Sequence, residues 1–190
     1  MNIGLFFGSF NPIHSGHLII ANIMAETTDL DQVWFVVSPQ NPFKKSASLL
    51  HEFDRLDMVN AAIYDNYSLK ASDVEFNMPK PSYTVDTLTY LFEKYPDKKF
   101  SLIIGEDNLK SFPKWKNSHF ILENYQLYVY PRPDVQPSDL FSHPNVKMVD
   151  APMIDISATF IRKCIKKGLS IKYLVHDSVA EMIQSKKYYF

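Results

Sequence analysis

With 190 residues, 46% of them apolar and 22% charged, the chain can bury a sizeable core and falls among ordinary globular proteins. A formal net charge of −1 excludes general nucleic-acid binding, which needs a basic excess, but leaves room for a local basic pocket around a phosphorylated ligand. The lone Cys164 excludes an internal disulfide, no apolar run reaches the ~20 residues that span a bilayer, and Met1-Asn2-Ile3-Gly4 enters a strand without a basic leader, so a cytoplasmic, membrane-free chain is expected.

The predicted elements follow in chain order. Ile3–Phe7 is a short continuous apolar run, read as a strand buried on both faces. Leu18 to about Thr28 reads as a helix with Ile19, Ile20, Ile23 and Met24 inward, and Gln32–Val37 as a second buried strand. Strand, helix and strand make a βαβ unit with parallel strands. Ser38–Lys45 is a loop held irregular by Pro39 and Pro42 and ended by Lys44 and Lys45. His51 to about Tyr64 is a helix carrying Phe53, Leu56, Met58, Val59, Ala62 and Ile63, and Leu69–Ser72 is a short strand. After a loop over 73–81, Ser82 or Thr84 caps a helix that keeps Asp86 in its first turn and is stopped by Pro96. Phe100–Ile104 is a strand followed at once by Gly105, and residues 108–124 form short helices broken at Pro113. Gln126–Tyr130 and Val146–Met148 are strands, and Thr159–Lys167 is a helix ended by Gly168. A last helix runs from Asp177 or Ser178 to about Ser185. This alternation predicts a doubly wound, mostly parallel open α/β sheet with C-terminal helices, in one domain over 1–190.

In such sheets ligands bind beyond the carboxyl ends of the strands. Gly8–His17, Ser38–Lys45, Gly105–Trp115 and Arg132 all follow predicted strands and should converge there. Gly8-Ser9-Phe10-Asn11-Pro12-Ile13-His14-Ser15-Gly16-His17 is a strand-to-helix turn, which presents free backbone N–H groups and the positive end of a helix dipole. His14 and His17, three apart at that helix start, can face one side. They could hold zinc, stand solvated in a loop, or donate to phosphate oxygens. The electropositive helix end and the lack of a nearby third ligand favour phosphate. Neither G-x-G-x-x-G nor G-K-[ST] occurs, so this is neither the usual dinucleotide fingerprint nor a P-loop.

The stretch Gly8–His17 resembles the G-x-F-x-P-x-H-x-G-H signature of the HxGH nucleotidyltransferases, and Ile156–Arg162 resembles their I-S-S-T-x-I-R, with Ala158 in place of the second Ser. Pro81–Leu88 and Gly105–Trp115 are similar to segments of the bacterial nicotinate-nucleotide adenylyltransferases, and the likeness runs from Ile3 to about Ile183. The resemblance implies a Rossmann-like nucleotidyltransferase fold and transfer of AMP from ATP to nicotinate mononucleotide, forming deamido-NAD and pyrophosphate, with Mg²⁺ carried on the ATP phosphates. It also implies roles. His14, His17 and Arg162 are the catalytic phosphate-holding residues; Gly8, Ser9, Phe10, Gly16, Gly105, Asp107, Ile156, Ser157 and Thr159 line ATP. Tyr83, Thr84 and Trp115 meet the pyridine end, and Lys44, Lys45 and Arg132 neutralise the mononucleotide phosphate. In the 38–45 loop Asn41-Pro42-Phe43-Lys44 departs from the family's P-P-H-[KR], with Phe43 where His is usual.

Plainer roles stand beside these: Trp115 as a core cap, Asp107 as a helix cap, Lys44 and Lys45 as a loop tip, and Arg162 paired with Asp155. A phosphate monoester is already ionised at pH 7, so the nucleophile implied needs no general base, and catalysis reduces to positioning and charge stabilisation. The alternatives are another HxGH enzyme, acting on nicotinamide mononucleotide or phosphopantetheine, and a nucleotide-binding module without turnover. The aromatic end Tyr188-Tyr189-Phe190 is expected to pack on the core, with a homo-oligomer contact as its other use.

Overall fold

The computed structural model describes residues 1–40, 49–133, 135–136 and 138–190. Six strands, β1 (Asn2–Gly8), β2 (Gln32–Val37), β3 (Leu69–Ser72), β4 (Lys99–Gly105), β5 (Leu127–Tyr130) and β6 (Val146–Met148), form one sheet in the order β3-β2-β1-β4-β5-β6. Every neighbouring pair is parallel. The order reverses between β1 and β4, and the loops after these strands part to opposite sides of that seam, leaving a crevice at their carboxyl ends.

Residues alternate across the strands, so each face has its own core. Phe6, Val33, Phe35 and Val37 face one side, where they meet α1 (Ser15–Thr27), α2 (Glu52–Ile63), α6 (Ala158–Lys166) and α7 (Asp177–Lys186) through Ile20, Met24, Met58, Ile161 and Val179. Ile3, Leu5, Trp34 and Val36 face the other, against α3 (Thr84–Lys94), α4 (Glu106–Ser111) and α5 (Ser118–Asn124) through Leu88, Leu91, Leu109 and Ile121. Burial on both faces is why these strands read as unbroken apolar runs. No helix among the described residues is long and apolar enough to cross a membrane.

Three local expectations need correction. In α1, Ile19 points out at 41% exposure while Ala21 takes the inner stripe with Ile20 and Met24, because the helix starts at Ser15 and its inner face is set by that start. In α2, Phe53 is 56% exposed and Arg55 is fully buried, since the stripe Arg55, Met58, Val59, Ala62, Ile63 is the one that faces the sheet. At the start of α3 the N-cap is Tyr83, not Ser82 or Thr84: the Ser82 hydroxyl turns inward to the buried carboxylate of Glu75 at 2.8 Å.

The segment after α7 does pack on the core. Lys187 closes the helix at φ 56°, Tyr188 Oη donates to Asp54 Oδ1 at 2.6 Å, and Tyr189 lies buried.

Candidate active site

The chain leaves β1 at Gly8 and turns back over its own sheet. A Cβ on Gly8 would stand 2.7 Å from the Phe10 ring, so only glycine admits that ring beneath the turn. Phe10 sits at φ 44° with its side chain buried among Phe6 and Phe35, and its ring edge supports the His17 imidazole at 5.0 Å between centroids. Its side chain therefore reaches the core rather than the crevice, and what it can offer a ligand is backbone.

His14 is the N-cap of α1 and stacks on His17 with 3.6 Å between ring centroids. The His14 backbone N–H donates to His17 Nδ1 at 3.3 Å, which leaves the proton of the neutral His17 ring on Nε2. His14 is 6% exposed, and burial first, then the nearby Arg132 charge, lowers its pKa to about 4. It is thus a neutral imidazole at pH 7. Its Nδ1 is buried with no hydrogen-bond partner among the described residues, and Gly16 lies against that atom: a Cβ there would stand 3.2 Å from Nδ1. A buried ring nitrogen left unsatisfied is uncommon in a folded protein and calls for an explanation.

These rings form one wall of a narrow cleft, closed by Tyr130, Arg132, Ile154 and Ile156. A roomier hollow, about 530 Å³, lies at the opposite, amino-terminal end of the strands around Phe92, Lys99 and Tyr128, and holds none of the motif residues.

Arg132 follows β5. Its Nε is 3.6 Å from Asp107 Oδ1, its Nη1 donates to Ile154 O at 3.3 Å, and its backbone N–H donates to Glu106 Oε2 at 2.8 Å. A Cβ on Gly105 would run into the Asp107 carboxylate and press on Arg132, so that glycine lets strand end, acid and arginine converge. Arg132 thus stands with His14, His17, Gly105 and Asp107 around the cleft.

From the other side α6 brings its amino end to the same place. Ser157 Oγ caps the helix by accepting from Phe160 N at 3.2 Å. Arg162 Nη1 donates to Asn11 O at 2.7 Å and its Nη2 to Thr159 Oγ1 at 3.2 Å, so the guanidinium grips the β1–α1 turn rather than Asp155.

Tyr83, Thr84 and Trp115 gather at the start of α3. Trp115 leans on Phe112 at 5.2 Å, and Lys116 Nζ bridges to Asp86 at 2.8 Å while lying 4.9 Å from the Tyr83 ring centre. Beneath them Glu75 accepts from Ser82 Oγ and Thr87 Oγ1, each at 2.8 Å, and from Ser38. Burial raises its pKa, and these three hydroxyls pull against that rise. Lys44 and Lys45, with the whole Asn41–Lys44 stretch, lie outside the described residues.

The sequence reading missed Arg55. Its guanidinium donates to Ser9 O at 2.6 Å, Ser38 O at 2.7 Å, Leu50 O at 2.9 Å and Pro39 O at 3.2 Å, tying together the turns after β1 and β2. Its signal was the i, i+3, i+4, i+7 stripe it shares with Met58, Val59 and Ala62. Glu75 had none, being one acid in an irregular loop.

Comparison with known proteins adds three findings. Residues 5–164 match the family model described as cytidylyltransferase-like. A curated protein of Cytophaga hutchinsonii, described as a probable nicotinate-nucleotide adenylyltransferase, is 66% identical over 189 residues, covering 100% of this chain and 98% of that one. One of Flavobacterium johnsoniae with the same description is 54% identical over 191 residues, covering 100% and 99%. Among solved structures, Plasmodium falciparum nicotinic acid mononucleotide adenylyltransferase complexed with NaAD superposes with a TM-score of 0.84 over 99% of this chain and 97% of that one, at 20% identity, which bears on the fold.

Proposed function

We infer the function from membership: the chain belongs to the nicotinate-nucleotide adenylyltransferases, within the cytidylyltransferase-like family. It transfers the adenylyl group of ATP to nicotinate mononucleotide, giving nicotinate adenine dinucleotide and pyrophosphate, a step of NAD biosynthesis. The observation that carries the residue-level reading is His14 Nδ1, buried against Gly16 and unpartnered among the described residues, in a cleft at the carboxyl end of β1.

The reaction joins a 5′-phosphate oxygen of the mononucleotide to the α-phosphorus of ATP as the bond to the β-phosphate breaks. The attacking phosphate is already ionised, so no residue has to take its proton. The need is electrostatic: two polyanions meet, and charge moves onto the departing pyrophosphate. His14 and the Nε2–H of His17 donate to the phosphates. Arg162 and Arg132 supply fixed positive charge, Arg162 at the β- and γ-phosphates and Arg132 between the cleft and Asp107. Ser157 and Thr159 keep hydroxyl protons to donate, since the oxygen of each already accepts. Asp107, two residues past Gly105, accepts from a ribose hydroxyl.

The donor set suits phosphate oxygens, not a protein-held metal; among the described residues no three His, Cys, Asp or Glu side chains gather as ligands. Mg²⁺ belongs to the substrate, on the ATP phosphates, where it keeps most of its waters. At the other end, Trp115 stacks on the pyridine ring and the first amides of α3, at Tyr83 and Thr84, receive its carboxylate, which selects nicotinate over nicotinamide. Lys44 and Lys45 meet the mononucleotide phosphate. The chain acts as one domain in the cytoplasm, where ATP is supplied.

The test is pyrophosphate release with nicotinate mononucleotide, nicotinamide mononucleotide and phosphopantetheine. Nicotinate mononucleotide is expected to be the preferred substrate, and silence with both pyridine mononucleotides overturns the reading. His17→Ala is expected to lower kcat by ~10²-fold or more, the scale of one preorganised donor lost; full turnover removes His17 from the mechanism.

A further inference from the structure

We propose that Tyr189 is a positioning residue for the triphosphate site: its hydroxyl holds the Asn11 side chain, and through it the backbone that Arg162 grips. The inference rests on the adenylyltransferase reading above and extends it to a residue that does not line the cleft.

Tyr189 Oη donates to Asn11 Oδ1 at 2.8 Å in a buried contact. The same Oδ1 accepts the Leu50 N–H at 3.2 Å, and Asn11 O accepts Arg162 Nη1 at 2.7 Å. Asn11 lies midway in the turn between Gly8 and His14, two residues beyond the Ser9 carbonyl that Arg55 holds at 2.6 Å. The turn is therefore fixed from below by Arg55 and from its far side by Tyr189 and Arg162 together. Burial pushes the Tyr189 phenol above its usual range, so it stays protonated and remains a donor.

The path of the chain favours this contact over mere filling. Lys187 at φ 56° and Tyr189 at φ 66° both take the left-handed region, which L side chains adopt only when surrounding contacts hold them there. The two turns send Tyr189 inward at 9% exposure while Phe190 stays out at 60%. The neighbouring Tyr188 hydroxyl meets the Asp54 carboxylate on α2 and the Lys186 ammonium, not Asn11, and so serves as an internal control.

The experiment compares wild type, Tyr189→Phe and Tyr188→Phe. It measures thermal unfolding, steady-state kinetics with each substrate varied in turn, and calorimetric binding of α,β-methylene ATP without mononucleotide. Each variant loses one hydroxyl and keeps its ring, so both are expected to fold with a similar small loss of melting temperature. Tyr189→Phe is expected to raise KM for ATP and Kd for the analogue about 3–10-fold, the scale of one buried hydrogen bond. Its KM for nicotinate mononucleotide is expected to stay within about twofold, and Tyr188→Phe to leave every kinetic constant within about twofold. Equal stability losses with no change in ATP affinity in Tyr189→Phe overturn the proposal and leave the tyrosine as packing. A wild type that binds the analogue but releases no pyrophosphate refutes the adenylyltransferase reading; the analogue arm then still decides the role of Tyr189.

Discussion

Arg55→Met tests whether a buried cation holds the two turns that frame the site. Arg55 is 0% exposed; its hydrogen-bond partners are four carbonyl oxygens, on Ser9, Ser38, Pro39 and Leu50, and the Glu52 carboxylate favours its charge from nearby. A hydrogen bond with one charged partner contributes about 1.5–3 kcal/mol, so four are worth roughly 6–12 kcal/mol before the cost of burying the guanidinium, itself several kcal/mol. Methionine restores the apolar volume and leaves the four carbonyls to find water or go without. The net loss expected is about 4 kcal/mol. For a chain of this length the unfolding entropy is about 0.4 kcal/mol per kelvin, so the melting temperature should fall by about 10 °C. Arg55→Lys, with one compact ammonium in place of a fork, should recover less than about half of that. Urea unfolding followed by circular dichroism gives the free energy, and pyrophosphate release should fall with it because the released turns carry Ser9 and Ser38. A variant within about 1 kcal/mol of wild type refutes the reasoning: water would then reach those carbonyls, and the contacts would be incidental.

His14 and Glu75 give pH effects of opposite sign. The His14 pKa of about 4 lies below the 6.5 of an exposed imidazole, so the unfolded chain binds the extra proton first, and stability present above pH 6.5 is lost as pH falls toward 4. The loss is about 3 kcal/mol at most, and His14→Gln should remove that slope from urea titrations run between pH 7.5 and 4; an unchanged slope means the ring is not held neutral. Glu75 is raised above its ordinary value by burial, so its contribution is present at low pH and lost as pH rises through the folded pKa. Glu75→Gln, which keeps an acceptor for Ser82 and Thr87, should lose less stability than wild type between pH 5 and 8; an equal or larger loss would show the carboxylate to be stabilised in its charged form.

The four central strands are legible in the sequence because a strand buried on both faces must be apolar throughout, as QVWFVV and FSLII are, whereas the edge strands β3 (LKAS) and β6 (VKM) are partly exposed and carry a lysine each. The carboxyl-end address of the motifs followed from parallel pairing alone. Side-chain destinations were less legible. The resemblance assigns Arg132 to the mononucleotide phosphate; its nearness to Asp107 depends on how β4 and β5 align, with Gly105 opposite Tyr130. Ser82 or Thr84 is expected to cap α3 because serine and threonine are favoured caps, yet Tyr83 holds that position and a buried acid seven residues away takes the Ser82 hydroxyl. Arg55 broke the rule that charge faces water while obeying the helical period, and the period was the better guide.

The bonds that meet at Asn11 join residues 151 and 178 positions apart along the chain. Closing such distances costs chain entropy that local pairing does not. The βαβ core over β1 and β2 can therefore assemble while the turn between Gly8 and His14 is still waiting for α6 and for the segment beyond α7. The nucleotide-site turn thus depends on contacts with the end of the chain in a way that the β1–β2 core does not.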